Sequence, residues 1–190
     1  MSDQDHSTRR VIFTGASGVG KTCLVEALAG ELKLAVIPEL GRQLCLDMGY
    51  NWIGEIPDQE GFKRQVLEAQ ISEETRLASF ISDRSTIDCW VLWQRWNICS
   101  AMSYDTESYY NQTRKQGELY SEIIYIPPMF PPPTDSFRWT DSDYQLQIDR
   151  LVRMTLYEWN LLGRTYMVRS EGVQNRCLEV IDWLASRPMS

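Results

Sequence analysis

Eight consecutive residues near the amino terminus match the phosphate-binding (Walker A) pattern G-x-x-x-x-G-K-[ST] in full. They are Gly15, Ala16, Ser17, Gly18, Val19, Gly20, Lys21 and Thr22. An apolar run at positions 11–14 precedes them and a helical pattern begins within them, which is the context that such a loop requires. A glycine-rich turn that matches by chance is the alternative, and it does not account for both flanks. The motif therefore predicts a nucleotide-binding loop between a buried strand and a helix.

The chemistry of this loop follows from its backbone. Its glycines let the chain curl so that successive N–H groups point at a triphosphate, and the start of the helix adds the positive end of its dipole. We expect Lys21 to hold the β- and γ-phosphates and Thr22 to offer its hydroxyl to Mg²⁺.

Composition narrows the remaining function classes. The 190 residues include 26 acidic and 19 basic side chains, a net charge of −7, and the pI is near 4.8, which disfavours bulk binding to nucleic acid and leaves only a local basic pocket open. The five cysteines form no C-x-x-C pair and the single histidine, His6, lies in a polar tail, which argues against disulfides, zinc and histidine-based triads. No apolar run approaches the ~20 residues that span a bilayer. We expect a cytoplasmic protein with no membrane segment.

Short apolar runs alternate with longer helical patterns along the chain. The predicted strands lie at 11–14, 34–37, 80–82, 122–126 and 165–168. The predicted helices lie at 21–31, 39–48, 58–78, 86–96, 107–119, 142–162 and 172–185. This alternation is typical of an α/β fold, here a three-layer α/β/α sandwich with a five-stranded parallel sheet. We expect a flexible tail at 1–8 and a single domain at 9–190.

Three consecutive prolines, at positions 131–133, interrupt the helical patterns. They predict a loop at 129–141 within a proline-rich lid of about 129–150, which would close over bound phosphates and exclude water. Arg138, Arg150 and Arg153 are candidates to neutralise charge in the transition state, and Arg138 is favoured because it lies in the loop itself. The alternative is that these arginines are simply solvated.

Charged residues follow the second predicted strand at the end where ligands bind in open α/β sheets. Glu39 is a candidate general base for an acceptor hydroxyl, and Arg42, one helical turn later, is a candidate contact to a polar or anionic part of the acceptor. The alternative for Glu39 is an acidic residue that the helix dipole favours in a first turn.

The third predicted strand ends in a similar way, with Asp83 and Arg84. Asp83 is a candidate ligand of Mg²⁺, as a Walker-B carboxylate is, and Arg84 would contact the transferred phosphoryl group or the acceptor. A surface pair that caps the following helix is the alternative.

Aromatic residues supply candidates for the acceptor site. Tyr50 and Trp52 follow a glycine on the acceptor side of the cleft and are candidates to stack on a flat ring, with simple packing as the alternative. Gln65, on the long predicted helix, is a candidate to contact the edge of a base. Three further tryptophans recur every third residue: Trp90, Trp93 and Trp96. We expect them to pack in the core, although such a stripe also suits a homodimer interface.

The order of these segments resembles that of the nicotinamide riboside kinase-like P-loop proteins, which are relatives of the deoxynucleoside and thymidylate kinases. The shared features are the GxxxxGKT loop, PE-x-x-R after the second strand, DRS after the third, and a proline-rich DxxR segment. The resemblance covers residues 11–184. It implies ATP and Mg²⁺ as cofactors, Glu39 as the base or hydroxyl ligand, Asp83 and Arg84 at Mg²⁺ and the phosphates, and Arg176 near the adenine.

The function that these observations favour is phosphoryl transfer from ATP to a small nucleoside- or nucleotide-like acceptor. One alternative is a kinase that acts on a hydroxymethylated base in DNA, which the acidic balance disfavours. The other is a regulatory ATPase that acts on a protein partner. The sequence has no N-K-x-D motif and no D-x-x-G after the third strand, which argues against a GTPase.

Overall fold

The computed structural model describes residues 8–132 and 141–187. Its five strands form one sheet in which every pair is parallel, in the order β2-β3-β1-β4-β5. The strands are β1 (Arg10–Thr14), β2 (Ala35–Ile37), β3 (Phe80–Asp83), β4 (Glu122–Tyr125) and β5 (Thr165–Met167). The predicted five-stranded parallel sheet is confirmed.

Within the described residues, seven α-helices connect and follow the strands. They are α1 (Lys21–Leu32), α2 (Leu40–Asp47), α3 (Gln59–Arg76), α4 (Thr86–Asn97), α5 (Ser103–Gly117), α6 (Ser142–Glu158) and α7 (Val173–Ala185). Helix α1 packs on α7, whereas α4 packs on α3, α5 and α6. The connections from β1 to β2 and from β3 to β4 run in opposite directions across the sheet, so right-handed crossovers put these two helix groups on opposite faces.

The centre of the sheet is the most deeply buried part of the protein. Strand β1 lies between β3 and β4, and its residues Val11, Ile12 and Phe13 have no exposed surface. A strand that is covered on both faces is expected to be continuously apolar, which is why this run was visible in the sequence. The phosphate-binding motif follows directly from this central strand.

Most helix bounds lie within two residues of the predicted ones, and two differ by four residues. Helix α5 begins at Ser103 rather than at 107, and the hydrogen bond from Trp93 Nε1 to Thr106 Oγ1 ties this added turn to α4. Helix α6 ends at Glu158 rather than at 162, because Asn160 has φ +56° and this left-handed conformation cannot continue a helix. A short 3₁₀ helix follows it.

The predicted tail and lid fall largely on parts of the chain that the structure does not describe. Residues 1–7 of the predicted tail and Arg138 of the predicted lid lie outside the described residues. Of the remaining lid, residues from Ser142 onward form α6, whose first turn is capped by the side chain of Asp141. The lid therefore stays a prediction. Within the described ranges, no helix has the length and apolar character needed to cross a bilayer.

Candidate functional site

The phosphate-binding motif forms a tight loop between β1 and α1. Gly15, Gly18 and Gly20 have φ values of +144°, +78° and +95°, which residues other than glycine rarely adopt. A Cβ atom on Gly15 would lie 2.4 Å from the carbonyl oxygen of Ile126. The loop thus requires glycine at this position for its close approach to the residue after β4.

Lys21 begins α1 and is 4% exposed. Its Nζ donates hydrogen bonds to the carbonyl oxygens of Gly15 and Ala16 at 2.8 and 2.7 Å. Burial, together with the positive charge of Arg84, lowers the pKa of Lys21 to about 8. The ammonium group therefore lies over the loop, next to the backbone N–H groups that are predicted to bind phosphates.

Thr22 and Asp83 form a pair beside this loop. The Thr22 hydroxyl donates to Asp83 Oδ2 at 2.5 Å. Asp83 ends β3, and its pairing with Phe13 of β1 sets its position next to the loop. A hydroxyl and a carboxylate oxygen are hard ligands of the kind that Mg²⁺ takes when phosphates and water complete its shell. The donor set therefore fits the predicted Mg²⁺ site.

Arg84 lies at the centre of the charged groups. Its Nε donates to Glu39 Oε1 at 2.8 Å, its Nη1 to Asp88 Oδ1 at 3.4 Å and its Nη2 to Ser17 Oγ at 3.4 Å. Its backbone has φ +87°, a strained conformation for a residue with a side chain. This turn directs the guanidinium inward. The alternative, in which Asp83 and Arg84 form a surface pair that caps α4, is therefore wrong, and the side chain of Ser85 caps that helix instead.

The electrostatics of this group are balanced by opposite charges. Burial by itself lowers the pKa of Arg84, but the charges of Glu39, Asp88 and Asp83 outweigh it and raise that pKa. Burial raises the pKa of the Asp88 carboxyl, which the charges of Arg84 and Lys21 oppose. Arg84 is therefore a permanent cation held between the loop and the end of β2.

A cavity of about 420 Å³ begins at this ion pair and extends between α2, α3 and α4. Its mouth includes Ser17, Glu39, Arg84 and Asp88. Large apolar and aromatic side chains form most of the wall: Trp52, Ile53, Phe62, Val66, Leu92, Trp96, Tyr109 and Tyr144. Its further polar groups include Gln59, Lys63, Gln70 and Asn97. Such a shape, apolar with few polar groups, is typical of a small-molecule site.

Only some of the residues that were predicted to bind the acceptor lie at the cavity. Glu39 and Trp52 line the cavity. Arg42 forms an ion pair with Glu39 at 3.6 Å and lines a neighbouring groove, Tyr50 packs against a small separate apolar cluster, and Gln65 is exposed on α3. These last three do not line the cavity.

Sequence reasoning missed Lys63, Gln70 and Asn97. The cavity face of α3 repeats at helical spacing, and the signal was present in the chain: Gln59, Phe62, Lys63, Val66 and Gln70. Lys63 is partly buried, and burial lowers its pKa to about 8. Of the tryptophan stripe, Trp90 and Trp93 are buried as expected, whereas Trp96 is 42% exposed at the cavity.

Arg176 of α7 supports the loop from the opposite side. Its Nη1 donates to the carbonyl oxygen of Val19 at 2.9 Å and its Nε to the carbonyl oxygen of Ser170 at 2.9 Å. Its guanidinium also lies over the ring of Phe130, 5.4 Å from the centroid. This surface lies next to the loop, which is compatible with the predicted position near an adenine.

Helix α6 also reaches the loop. Gln145 Nε2 donates to the carbonyl oxygen of Ser17 at 3.0 Å, and Asp149 accepts a hydrogen bond from the Tyr125 hydroxyl. Arg150 and Arg153 are exposed on the same helix. The helix that follows the predicted lid is thus connected to the phosphate-binding motif through Gln145.

Similar proteins were found among solved structures. A NadR protein in complex with NR has a TM-score of 0.76 at 20% identity, over 94% of this chain and 51% of that one. Deoxyadenosine kinase from M. mycoides with bound dATP has a TM-score of 0.61 at 13% identity, over 93% of this chain and 99% of that one. Shikimate kinase from Aquifex aeolicus has a TM-score of 0.58 at 13% identity, over 93% and 96%.

These likenesses concern the fold, and this chain spans about half the length of the NadR protein. No curated protein matches the sequence significantly. The AAA domain (AAA_28) matches residues 10–176, most of the chain. The predicted resemblance to P-loop small-molecule kinases is confirmed in the fold, and the chain belongs to the AAA domain family AAA_28.

Proposed function

We propose that this chain transfers the γ-phosphoryl group of ATP to a hydroxyl of a small, nucleoside-like acceptor, with Mg²⁺ as the cofactor. The observation that carries the proposal is the Glu39–Arg84 ion pair, which lies where the phosphate-binding loop meets the 420 Å³ cavity. A kinase needs its phosphoryl donor and its acceptor on either side of such a boundary.

On the donor side, the residues of the loop would bind the triphosphate. Lys21 would exchange its hydrogen bonds to two loop carbonyls for bonds to the β- and γ-phosphates. Thr22 and Asp83 would hold Mg²⁺, which neutralises phosphate charge when bound. Arg176, with Phe130, would cover the adenine.

On the acceptor side, Glu39 would accept the proton of the acceptor hydroxyl. The hydroxyl oxygen forms a bond to the γ-phosphorus, the bond from that phosphorus to the bridging oxygen breaks, and ADP leaves. Arg84, anchored by Glu39 and Asp88, would stabilise the charge on the transferred group. The aromatic wall, including Trp52, would hold a flat ring.

The predicted lid would complete the site. Gln145 already contacts the loop, so closure of the segment before α6 would bring its residues, Arg138 among them, toward the phosphates. We propose the chain from residue 9 onward as a single catalytic domain with this lid at about 129–150.

The test is ADP release from Mg·ATP with and without a panel of nucleosides, nucleoside monophosphates and nicotinamide riboside. Lys21→Ala runs alongside to exclude a contaminating kinase. We expect strong stimulation by one class of acceptor, lost in the variant. A rate that needs no acceptor and is lost in the variant would overturn the proposal in favour of a regulatory ATPase, a role that is compatible with an AAA domain. Activity only with DNA that carries hydroxymethylated bases would overturn the small-acceptor assignment alone.

A further inference from the structure

Glu74 of α3 is a carboxyl group with no exposed surface, and it lies behind the wall of the cavity. Three side chains donate hydrogen bonds to it, each at 2.8 Å: Gln70 Nε2, Gln116 Nε2 and the hydroxyl of Tyr120. They come from α3, from α5 and from the segment before β4. Apolar residues of similar volume often stabilise a fold as well as a buried charge does, so stability alone does not explain why a carboxyl group lies here.

The direction of these hydrogen bonds follows from the neighbouring groups. Thr86 Oγ1 donates to the carbonyl oxygen of Thr113 at 3.0 Å, and the Thr86 N–H donates to the Tyr120 hydroxyl oxygen at 2.9 Å. The Tyr120 hydroxyl therefore donates its hydrogen bond to Glu74. All three partners present hydrogens to Glu74, which therefore acts as an acceptor. Burial raises the pKa of this carboxyl, and the three hydrogen bonds oppose that rise.

Gln70 connects this network to the cavity. Its Nε2 donates to Glu74 Oε1 at 2.8 Å and to Ser82 Oγ at 3.2 Å, so both of its N–H groups are used. The residue lines the cavity, and no group among the described residues donates to its Oε1. The Gln70 carbonyl oxygen is therefore the atom that the side chain offers to a ligand.

A second amide residue, Asn97, lines the same cavity. Asn97, the last residue of α4, is 5% exposed, and its Oδ1 has no hydrogen-bond partner within the described part of the chain. An acceptor oxygen that stays buried without a donor costs about 1–3 kcal/mol. An N–H group that reached this oxygen would remove the cost, whereas a ligand oxygen would not.

We propose that Glu74 is a positioning residue: by holding the amide of Gln70, it keeps that carbonyl oxygen turned into the cavity, so that the cavity selects acceptors whose ring carries an amino group over counterparts that lack it. This inference rests on the proposed kinase function. It assigns to the acceptor a chemical class, ring systems with hydrogen-bond donors, that the phosphate-binding loop alone does not define.

The test compares matched acceptors by kcat/KM: cytidine with pyrimidin-2-one riboside, and adenosine with purine riboside. The second member of each pair lacks the amino group and has no ring N–H. We expect the wild type to favour the amino member of a pair by about tenfold or more, the ratio for one lost buried hydrogen bond. Glu74→Leu frees the Gln70 amide to rotate, and the ratio should fall to within about threefold. Glu74→Gln keeps an acceptor oxygen at this position and should restore the ratio.

Gln116→Leu is the matched control, because it removes another member of the network without touching the cavity, and its ratio should stay that of the wild type. Gln70→Met removes the carbonyl oxygen itself and leaves Gln116 and Tyr120 hydrogen-bonded to Glu74, so it tests the same preference should Glu74→Leu fail to fold. Equal rates on the amino and deamino partners, or an unchanged ratio in a folded Glu74→Leu protein, would overturn the inference and leave the kinase function standing. Absence of transfer to every acceptor, with ATP hydrolysis intact, would instead show that the proposed function itself fails.

Discussion

The guanidinium of Arg84 donates a 2.8 Å hydrogen bond to the carboxylate of Glu39, which joins the residue after β3 to the one that precedes α2. Both side chains are mostly buried, with 14% and 11% of their surfaces exposed. Movement of either side chain breaks this hydrogen bond, so the base and the cation proposed for the reaction share one geometry.

Glu39→Gln should reduce phosphoryl transfer by about 10²- to 10⁴-fold, because it removes the proposed general base. Nucleotide affinity should change little, since the loop and Lys21 are untouched. Single-turnover transfer and calorimetric binding of a non-hydrolysable ATP analogue measure the two effects separately. Glu31→Gln, at an exposed position on α1, is the control. A loss of only a few-fold in transfer would contradict the role of Glu39 as the base.

Arg84→Ala should destabilise the protein by about 3–5 kcal/mol, because it removes the buried guanidinium to which both Glu39 and Asp88 are hydrogen-bonded. Arg84→Gly loses the same guanidinium but tolerates φ +87°, so it should be more stable than the alanine variant by about 1 kcal/mol. Urea unfolding of the two variants measures this difference. Equal stability would indicate that the backbone turn is not strained.

Nucleotide affinity should fall as the pH rises above about 8. Burial and the charge of Arg84 lower the pKa of Lys21 to about 8, so above this pH the free protein must take up a proton before the ammonium can bind phosphate. Linkage then predicts a loss of up to about tenfold per pH unit. Calorimetry with the ATP analogue between pH 7 and 9.5 measures the slope.

Two variants test whether Lys21 causes this pH dependence of nucleotide binding. Lys21→Arg keeps the charge throughout this range and should give a flat profile. Lys63 also has a pKa of about 8 but lies on the acceptor side, so Lys63→Met should keep the slope of nucleotide binding. A slope that disappears in Lys63→Met instead would refute the assignment to Lys21.

Gly15→Ala should disrupt the loop, because its Cβ would lie 2.4 Å from the Ile126 carbonyl oxygen at a φ of +144°. We expect a destabilisation of about 1–3 kcal/mol and a loss of nucleotide binding. Gly30→Ala is the matched control, since Gly30 lies in α1 with open space around it and should gain about 0.5–1 kcal/mol. Thermal and urea unfolding compare the two; a Gly15→Ala protein as stable as the wild type would contradict the steric argument.

The features that could be predicted from the sequence are those that depend on local pattern. Buried parallel strands such as β1 are continuously apolar, and the residues after them, Glu39 and Asp83 among them, must lie at one edge of the sheet. Their ion pairs could not be predicted in this way, because the contact between Arg84 and Glu39 depends on β2 and β3 being neighbours, which is a property of the sheet order.

The far wall of the cavity was the least predictable part. Whether Gln65 or Gln70 faces a ligand depends on how α3 rotates against α2, α4 and α5, and this rotation is set by tertiary packing rather than by the residues of α3 alone. Tyr50 shows the same limit, since Tyr50 and Trp52 both pack against the small apolar cluster around Cys45 but only Trp52 lines the cavity.

The order of the strands in the sheet determines which parts of the protein can unfold locally. Strand β1 pairs on both sides, so its amide hydrogens should exchange with solvent only when the whole sheet unfolds. Strand β2 pairs only with β3 and exposes two of its three residues, so its amides should exchange through local fraying. Lys21 follows the first of these strands and Glu39 the second, so the acceptor side can loosen and admit a substrate while the phosphate-binding loop keeps its shape.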